Sequence, residues 1–133
     1  MDNSKKELLK KYIAILYKKI ADGEGLKTIP RIVLVTDEEN ASKDPIGYTA
    51  YYNPEDNSIK LYIVGRLIVD ILRSFAHECV HQKQRERGDL TGNEDAGSGY
   101  AQNNPKLRKL EEEAFLKGSL YLRDLQDELR NKK

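Results

Sequence analysis

With 133 residues, 34% of them charged, and a net charge of +1, the chain has the length of one domain around one core. Its basic residues are balanced by acidic ones, so there is no electrostatic case for nucleic acid. No apolar stretch approaches the roughly 20 residues of a membrane span, and Met1 to Lys6 lacks the apolar run of a secretory signal, so the expectation is a cytoplasmic protein without membrane contact.

Lys5 to Ile20 carries Leu8, Leu9, Tyr12, Ile13, Leu16 and Ile20 at three- and four-residue spacing, the period of an amphipathic helix. Ser4 and Glu7 form a capping box at its start, and Asp22-Gly23-Glu24-Gly25 stops it. Arg31 to Thr36 is short, β-branched and bounded by Pro30 and Asp37, which predicts a buried strand. Asp37 to Pro45 reads as a polar loop. Gly47 to Tyr52 and Ser58 to Val64 flank Asn53-Pro54-Glu55-Asp56-Asn57, where nearly every residue favours a turn, so a β-hairpin is expected. Arg66 to Arg87 is helical in pattern. Ile68, Leu72, Phe75 and Cys79 make one seam, while Leu67, Val69, Ile71 and Val80 bury the first half nearly all round. Gln82 to Arg87 is polar and should emerge into solvent. Gly88 to Asn104, rich in Gly, Asn, Asp, Ser and Thr, predicts a long loop of functional character. Pro105 opens a last helix running to about Arg130, with Asn104 as N-cap.

The chemistry lies in His77-Glu78-Cys79-Val80-His81, an HExxH pattern that uses both histidines of the chain. Imidazoles four positions apart on a helix share one face, so one ion can reach both, with Glu78 beside them at the mouth of the site. Two His and twelve Glu in 133 residues would produce the pattern by shuffling roughly 0.003 times. A solvated or core-bonded histidine pair is the alternative. Cys79 is rotated off the His77/His81 face and reads as a small buried apolar residue rather than a ligand. As the chain's single cysteine, it also excludes an internal disulfide.

A catalytic zinc takes three protein ligands and keeps a position for water. At 100° per residue, Leu107, Ala114, Gly118, Leu122, Leu125 and Leu129 share a stripe with Glu111 in its middle, whereas Glu112 and Glu113 point away. A carboxylate within an apolar stripe is costly unless a cation or partner meets it, which makes Glu111 the candidate third ligand. Ala114 and Gly118 would let two helices approach closely. A solvated acidic cluster near a helix start accounts for Glu112 and Glu113.

HExxH followed about thirty residues later by Glu111-x-x-Ala114 resembles the gluzincin class of zinc metallopeptidases. The element order is similar to that of their smallest single-domain members, the minigluzincins. Phe75 to Gln84 and Asn104 to Gly118 are similar to uncharacterised peptidases encoded by tailed bacteriophages. The resemblance spans about Ile59 to Gly118 and implies a single α+β, zincin-like domain. That domain would have an N-terminal helix, a three-stranded sheet including a hairpin, an HExxH helix and a C-terminal glutamate helix. It implies zinc held by His77, His81 and Glu111, Glu78 as general base, a peptide or protein substrate, and Ile59 to Val64 as the substrate-facing edge strand. Tyr100 is a candidate second donor to the oxyanion, with loop packing as its alternative. Two other classes remain open: a zinc-stabilised binding module without catalysis, and a structural protein, for instance of a phage particle, with a peptidase-like fold. Substrate identity, cleavage specificity and oligomeric state are not legible in the residues.

Overall fold

A computed structural model describes residues 2–36, 49–90 and 105–131. The chain is an α+β domain in the order α1 (Asn3–Glu24), β1 (Arg31–Val35), β2 (Ala50–Asn53), β3 (Ser58–Tyr62), α2 (Ile68–Glu86), α3 (Pro105–Asn131). The expected polar loop Asp37 to Pro45, the start of the hairpin at Gly47, the N-cap Asn104 and most of the loop after Gly88 lie outside the described residues.

Leu9, Ile13, Leu16 and Ile20 form the buried stripe of α1, as the period required. Its cap is not the Ser4–Glu7 box. Asp2 accepts the Lys5 N–H at 2.8 Å, and Ser4 already lies within the helix. An Asp at this position satisfies an otherwise orphaned amide and meets the positive end of the helix dipole. Gly25 closes α1 in the left-handed conformation at φ 67° and donates its N–H to Ala21 O, which glycine does without steric cost.

The hairpin is present: β2 pairs antiparallel with β3, Tyr52 opposite Ile59, across a turn in which Asn57 takes φ 52°. β1 pairs parallel with the other side of β3, Ile32 opposite Ile59. The order β1-β3-β2 corrects the expected role of Ile59 to Val64: β3 is the central strand, and among the described residues the edges are β1 and β2. Alternation with Ile59, Leu61 and Ile63 inward and Lys60 exposed suits an edge or a one-sided central strand equally, so period alone could not choose. As an edge, β1 is half-buried after an exposed Arg31, not the buried strand expected.

Arg66 locks the start of α2 to the sheet. Its guanidinium donates to Thr49 O, Tyr62 O, Asp70 O and Ser74 Oγ at 2.8 to 3.0 Å. The burial of α2 follows expectation at Ile71, Leu72, Phe75, Cys79 and Val80 and departs from it elsewhere. Leu67 and Arg73 are exposed, whereas Gln82 and Gln84 in the polar last turns are wholly buried. Gln82 Nε2 donates to Thr28 O at 2.9 Å, and the Glu86 carboxylate accepts from the Lys27 and Thr28 N–H groups. The segment after α1 is thus folded over α2 by side-chain amide and carboxylate contacts, which keeps the buried polar atoms satisfied.

α3 buries Leu107, Leu110, Ala114, Gly118, Leu122 and Leu125; Leu129, placed on the same stripe from sequence, is 36% exposed. A Cβ on Gly118 would stand 3.0 Å from His77 N and 3.2 Å from Ala76 C, both backbone atoms of α2. Gly118→Ala therefore trades a helix-propensity gain of about 1 kcal/mol against an overpacking cost of about 1–3 kcal/mol. Gly118→Val gains less and clashes more. We expect Gly118→Val to lower unfolding free energy by at least about 2 kcal/mol in denaturant titration, and a wild-type midpoint would mean that the helices are not in close contact there.

Candidate metal centre

His77, Glu78 and His81 each bring one ligand atom within 4.8 Å of the others on α2, and the group could hold a metal ion. The helix explains the His pair directly: positions four apart stack on one face, with the Nε2 atoms 3.2 Å apart. Across from them stands Glu111 of α3. Its Oε2 is 3.0 Å from His77 Nε2 and its Oε1 is 2.8 Å from His81 Nε2. Donors bound at 2.0–2.1 Å with tetrahedral angles lie roughly 3.3 Å from one another. Two imidazole nitrogens and a carboxylate separated by 2.8 to 3.2 Å are close to that spacing, and the donor types are those zinc takes. The residues present fit such an ion.

The three side chains are only 11 to 23% exposed, so their charges interact strongly. Burial disfavours ionised Glu111, but hydrogen bonds from His77 and His81 and the attraction of both rings win, and its carboxyl is held far below the usual range. For His81 burial favours the neutral ring. The Glu111 hydrogen bond, the charges of Glu78 and Glu111 and a contact with Gln84 outweigh it and raise the imidazolium pKa to about 9.

Glu78 is placed differently. Its Oε1 accepts the backbone N–H of Tyr52, on β2, at 3.0 Å. In the antiparallel register this amide faces away from β3, because Tyr62 N donates to Thr49 O and hydrogen-bonded pairs alternate from there. Edge strand and HExxH helix are thus joined through the carboxylate between the two histidines. Burial raises the Glu78 carboxyl, the two rings and the Tyr52 amide lower it, Glu111 raises it further, and the net shift is upward. A carboxylate whose pKa is moved toward neutrality is suited to take and return a proton.

Beside His77 and Glu78 opens a cavity of about 180 Å³, walled by Thr49, Arg73, Ser74, Ala114 and Phe115 among others. It is smaller than the roughly 300 Å³ of a typical small-molecule pocket and is of a size for one side chain. Phe115, otherwise 64% exposed, sets its ring edgewise against His77 with centroids 4.3 Å apart.

All four residues singled out in the sequence come together: His77, Glu78 and His81 from α2 and Glu111 from α3. Cys79 is fully buried among core side chains, its thiol pKa pushed up by burial, as expected of a packing residue. Tyr100 lies outside the described residues. Glu112 is exposed as expected, but Glu113 does not simply face solvent. It accepts from Gln84 Nε2 at 2.8 Å and from Arg87 Nη2 at 2.6 Å. Sequence reasoning also missed Gln84, whose Oε1 lies 2.8 Å from His81 Nδ1. Its position three residues after His81 was the available signal, because i and i+3 share a helix face.

No protein-family model, curated protein or solved structure matches the chain. No described helix is long and apolar enough to cross a membrane.

The sign of the His81 shift sets a pH test. Its folded pKa of about 9 exceeds the ordinary 6.5, so the stability it contributes is complete below 6.5 and is lost as pH rises through about 9. An ion bound at Nε2 must displace that proton. We expect metal-free protein to lose thermal stability over this interval while zinc affinity, read by chelator competition, rises by up to about tenfold per pH unit. An affinity that is flat with pH would place the ion elsewhere.

Proposed function

We propose that the protein is a zinc-dependent metallopeptidase in which His77, His81 and Glu111 hold the ion and Glu78 is the general base. One observation carries this reading. Three donors, two imidazoles and one carboxylate, converge on one point, while a second carboxylate, Glu78, stands beside them and is held by the β2 edge. A purely structural metal site has no use for a base beside its ligands. The resemblance of HExxH and Glu-x-x-Ala to gluzincins supports the same assignment.

When bound, zinc lowers the pKa of its water from 15.7 toward about 7 and polarises a substrate carbonyl. Glu78 accepts the water proton as the carbonyl is attacked and delivers it to the leaving amine, so that one carboxylate serves as base and then as acid. The Tyr52 N–H fixes one oxygen of that carboxylate and leaves the other for the proton. The outer edge of β2 beside Glu78 offers main-chain groups on which an extended peptide can pair without a fixed sequence. The 180 Å³ cavity would receive one side chain of that peptide.

A second reading is a zinc-stabilised binding or structural protein, and the bridge between α2 and α3 favours it: an ion at His77, His81 and Glu111 would staple the two helices together. Two variants test the metal site that both readings share, and a third separates them. His77→Ala or His81→Ala should abolish stoichiometric zinc, measured by metal analysis of purified protein, under either one. Glu78→Gln should keep zinc and fold but lower hydrolysis of a diverse peptide library by about 10²- to 10⁴-fold, the scale for loss of a general base. Zinc-loaded wild type that cleaves nothing in the library would pass the site to the structural reading.

A further inference from the structure

We propose that Gln84 is the positioning residue of His81: its side-chain carbonyl takes the Nδ1 hydrogen and thereby commits the Nε2 lone pair to the metal. The inference rests on the metal reading above for its consequence, but its geometry stands separately. Gln84 is fully buried on α2, and its amide meets three groups. One end lies 2.8 Å from Leu110 O and 2.8 Å from Glu113 Oε1; the other lies 2.8 Å from His81 Nδ1.

Which end is which follows by elimination. A peptide carbonyl can only accept, and so does the Glu113 carboxylate, which the Arg87 guanidinium grips at 2.6 and 3.1 Å. The end facing both must therefore be the NH₂ group, which has two hydrogens to give. The end facing His81 is then the oxygen, which can only accept, so Nδ1 must carry a hydrogen. A ring with one hydrogen on Nδ1 has its lone pair on Nε2, the atom that points at Glu111 and His77. The amide orientation is fixed by its partners and not by choice of one of two similar atoms.

The chain continues outward. Glu113, which anchors the amide, is itself held by Arg87 Nη2 at 2.6 Å and Nη1 at 3.1 Å and by Lys117 at 3.4 Å. Leu110, Glu113 and the ligand candidate Glu111 all belong to α3, so one amide both orients the His81 ring and registers α3 against it. The two rings differ here. His77 Nδ1 is buried with no hydrogen-bond partner among the described residues, and its ring packs edgewise against Phe115.

The test starts with wild-type protein, zinc-free and zinc-loaded. Long-range ¹H–¹⁵N spectra of the imidazoles, with the zinc-free sample held at a pH where the ring is neutral, should show a hydrogen on His81 Nδ1 in both states, and an Nδ1 without one would overturn the proposal, whatever any variant does. Gln84→Met keeps the volume and removes both polar ends, so zinc affinity should fall roughly 10- to 100-fold, the range for loss of a group that orients a metal ligand. The reversed pair Q84E/E113Q restores an acceptor toward Nδ1 and a donor behind it, and should recover both the Nδ1 hydrogen signature and most of the affinity. Wild-type affinity in Gln84→Met with an unchanged ring signature would overturn the assignment. So would a loss that the reversed pair leaves unrepaired while the His81 tautomer never moves, since that pattern is packing alone. Wild type that binds no zinc would end the metal reading, and the zinc-free spectra would still decide whether Gln84 holds the ring.

Discussion

Everything at the site depends on how closely α3 can lie against α2. Glu111 reaches both imidazoles at 2.8 and 3.0 Å only because one turn and two turns further along the same stripe the residues are Ala114 and Gly118, where even a Cβ on Gly118 would crowd the His77 backbone. Larger residues there would push the helix axes apart, and a carboxylate of fixed length could not make up the difference. α2 is in turn immobilised from both ends. Arg66 fastens its start to the carbonyls of Thr49 and Tyr62, and Gln82 and Glu86 fasten its end to the segment around Thr28. A ligand set assembled from two helices is held to tenths of an ångström only if its supporting contacts leave no slack.

The elements whose signal was local were legible. The amphipathic period of α1, the turn chemistry between β2 and β3 and the HExxH spacing each depend on neighbours in sequence, and each appears where the residues put it. Glu111 was legible because a charge on an apolar stripe needs a partner, and its two imidazole contacts are that partner. What failed depended on distant segments. β3 became central because β1 returns in parallel on its far side, a long-range pairing that a period-two pattern does not encode. Gln82 and Gln84 were read as solvated because amides usually are. They are buried because Thr28 from one side and Leu110 with Glu113 from the other supply the hydrogen bonds that replace water. The capping box lost to Asp2 through a choice between two adjacent cap signals, a boundary of one or two residues.

The two carboxylates nearest the histidines divide their roles through surroundings alone. Both are Glu, both feel the same two imidazoles, and both suffer the desolvation that raises a carboxyl pKa. Glu111 contacts the ring nitrogens directly, and those contacts overcome desolvation and keep it anionic. Glu78 has one backbone amide for a partner and a second carboxylate nearby, and for it desolvation wins. Two titratable groups of one kind driven in opposite directions within one site are a signature of divided chemistry: the group held anionic is fit to bind a cation, and the group moved toward neutrality is fit to exchange a proton.

That division also explains why the site borders both dry protein and a cavity. The ligand side must be enclosed, since the attraction between Glu111 and a cation weakens as water screens it. On the proposed peptidase reading the proton-exchanging side must meet a substrate, and Glu78 lines the cavity between Thr49 and Phe115. Gln84 and Glu113 close the wall behind His81 with polar groups that are already paired. An apolar wall there would leave the Nδ1 hydrogen buried without an acceptor, at a cost of about 1–3 kcal/mol, and the ring could recover it only by turning. A buried amide behind the imidazole costs little when all three of its bonds are made, and it removes that freedom from the His81 ring.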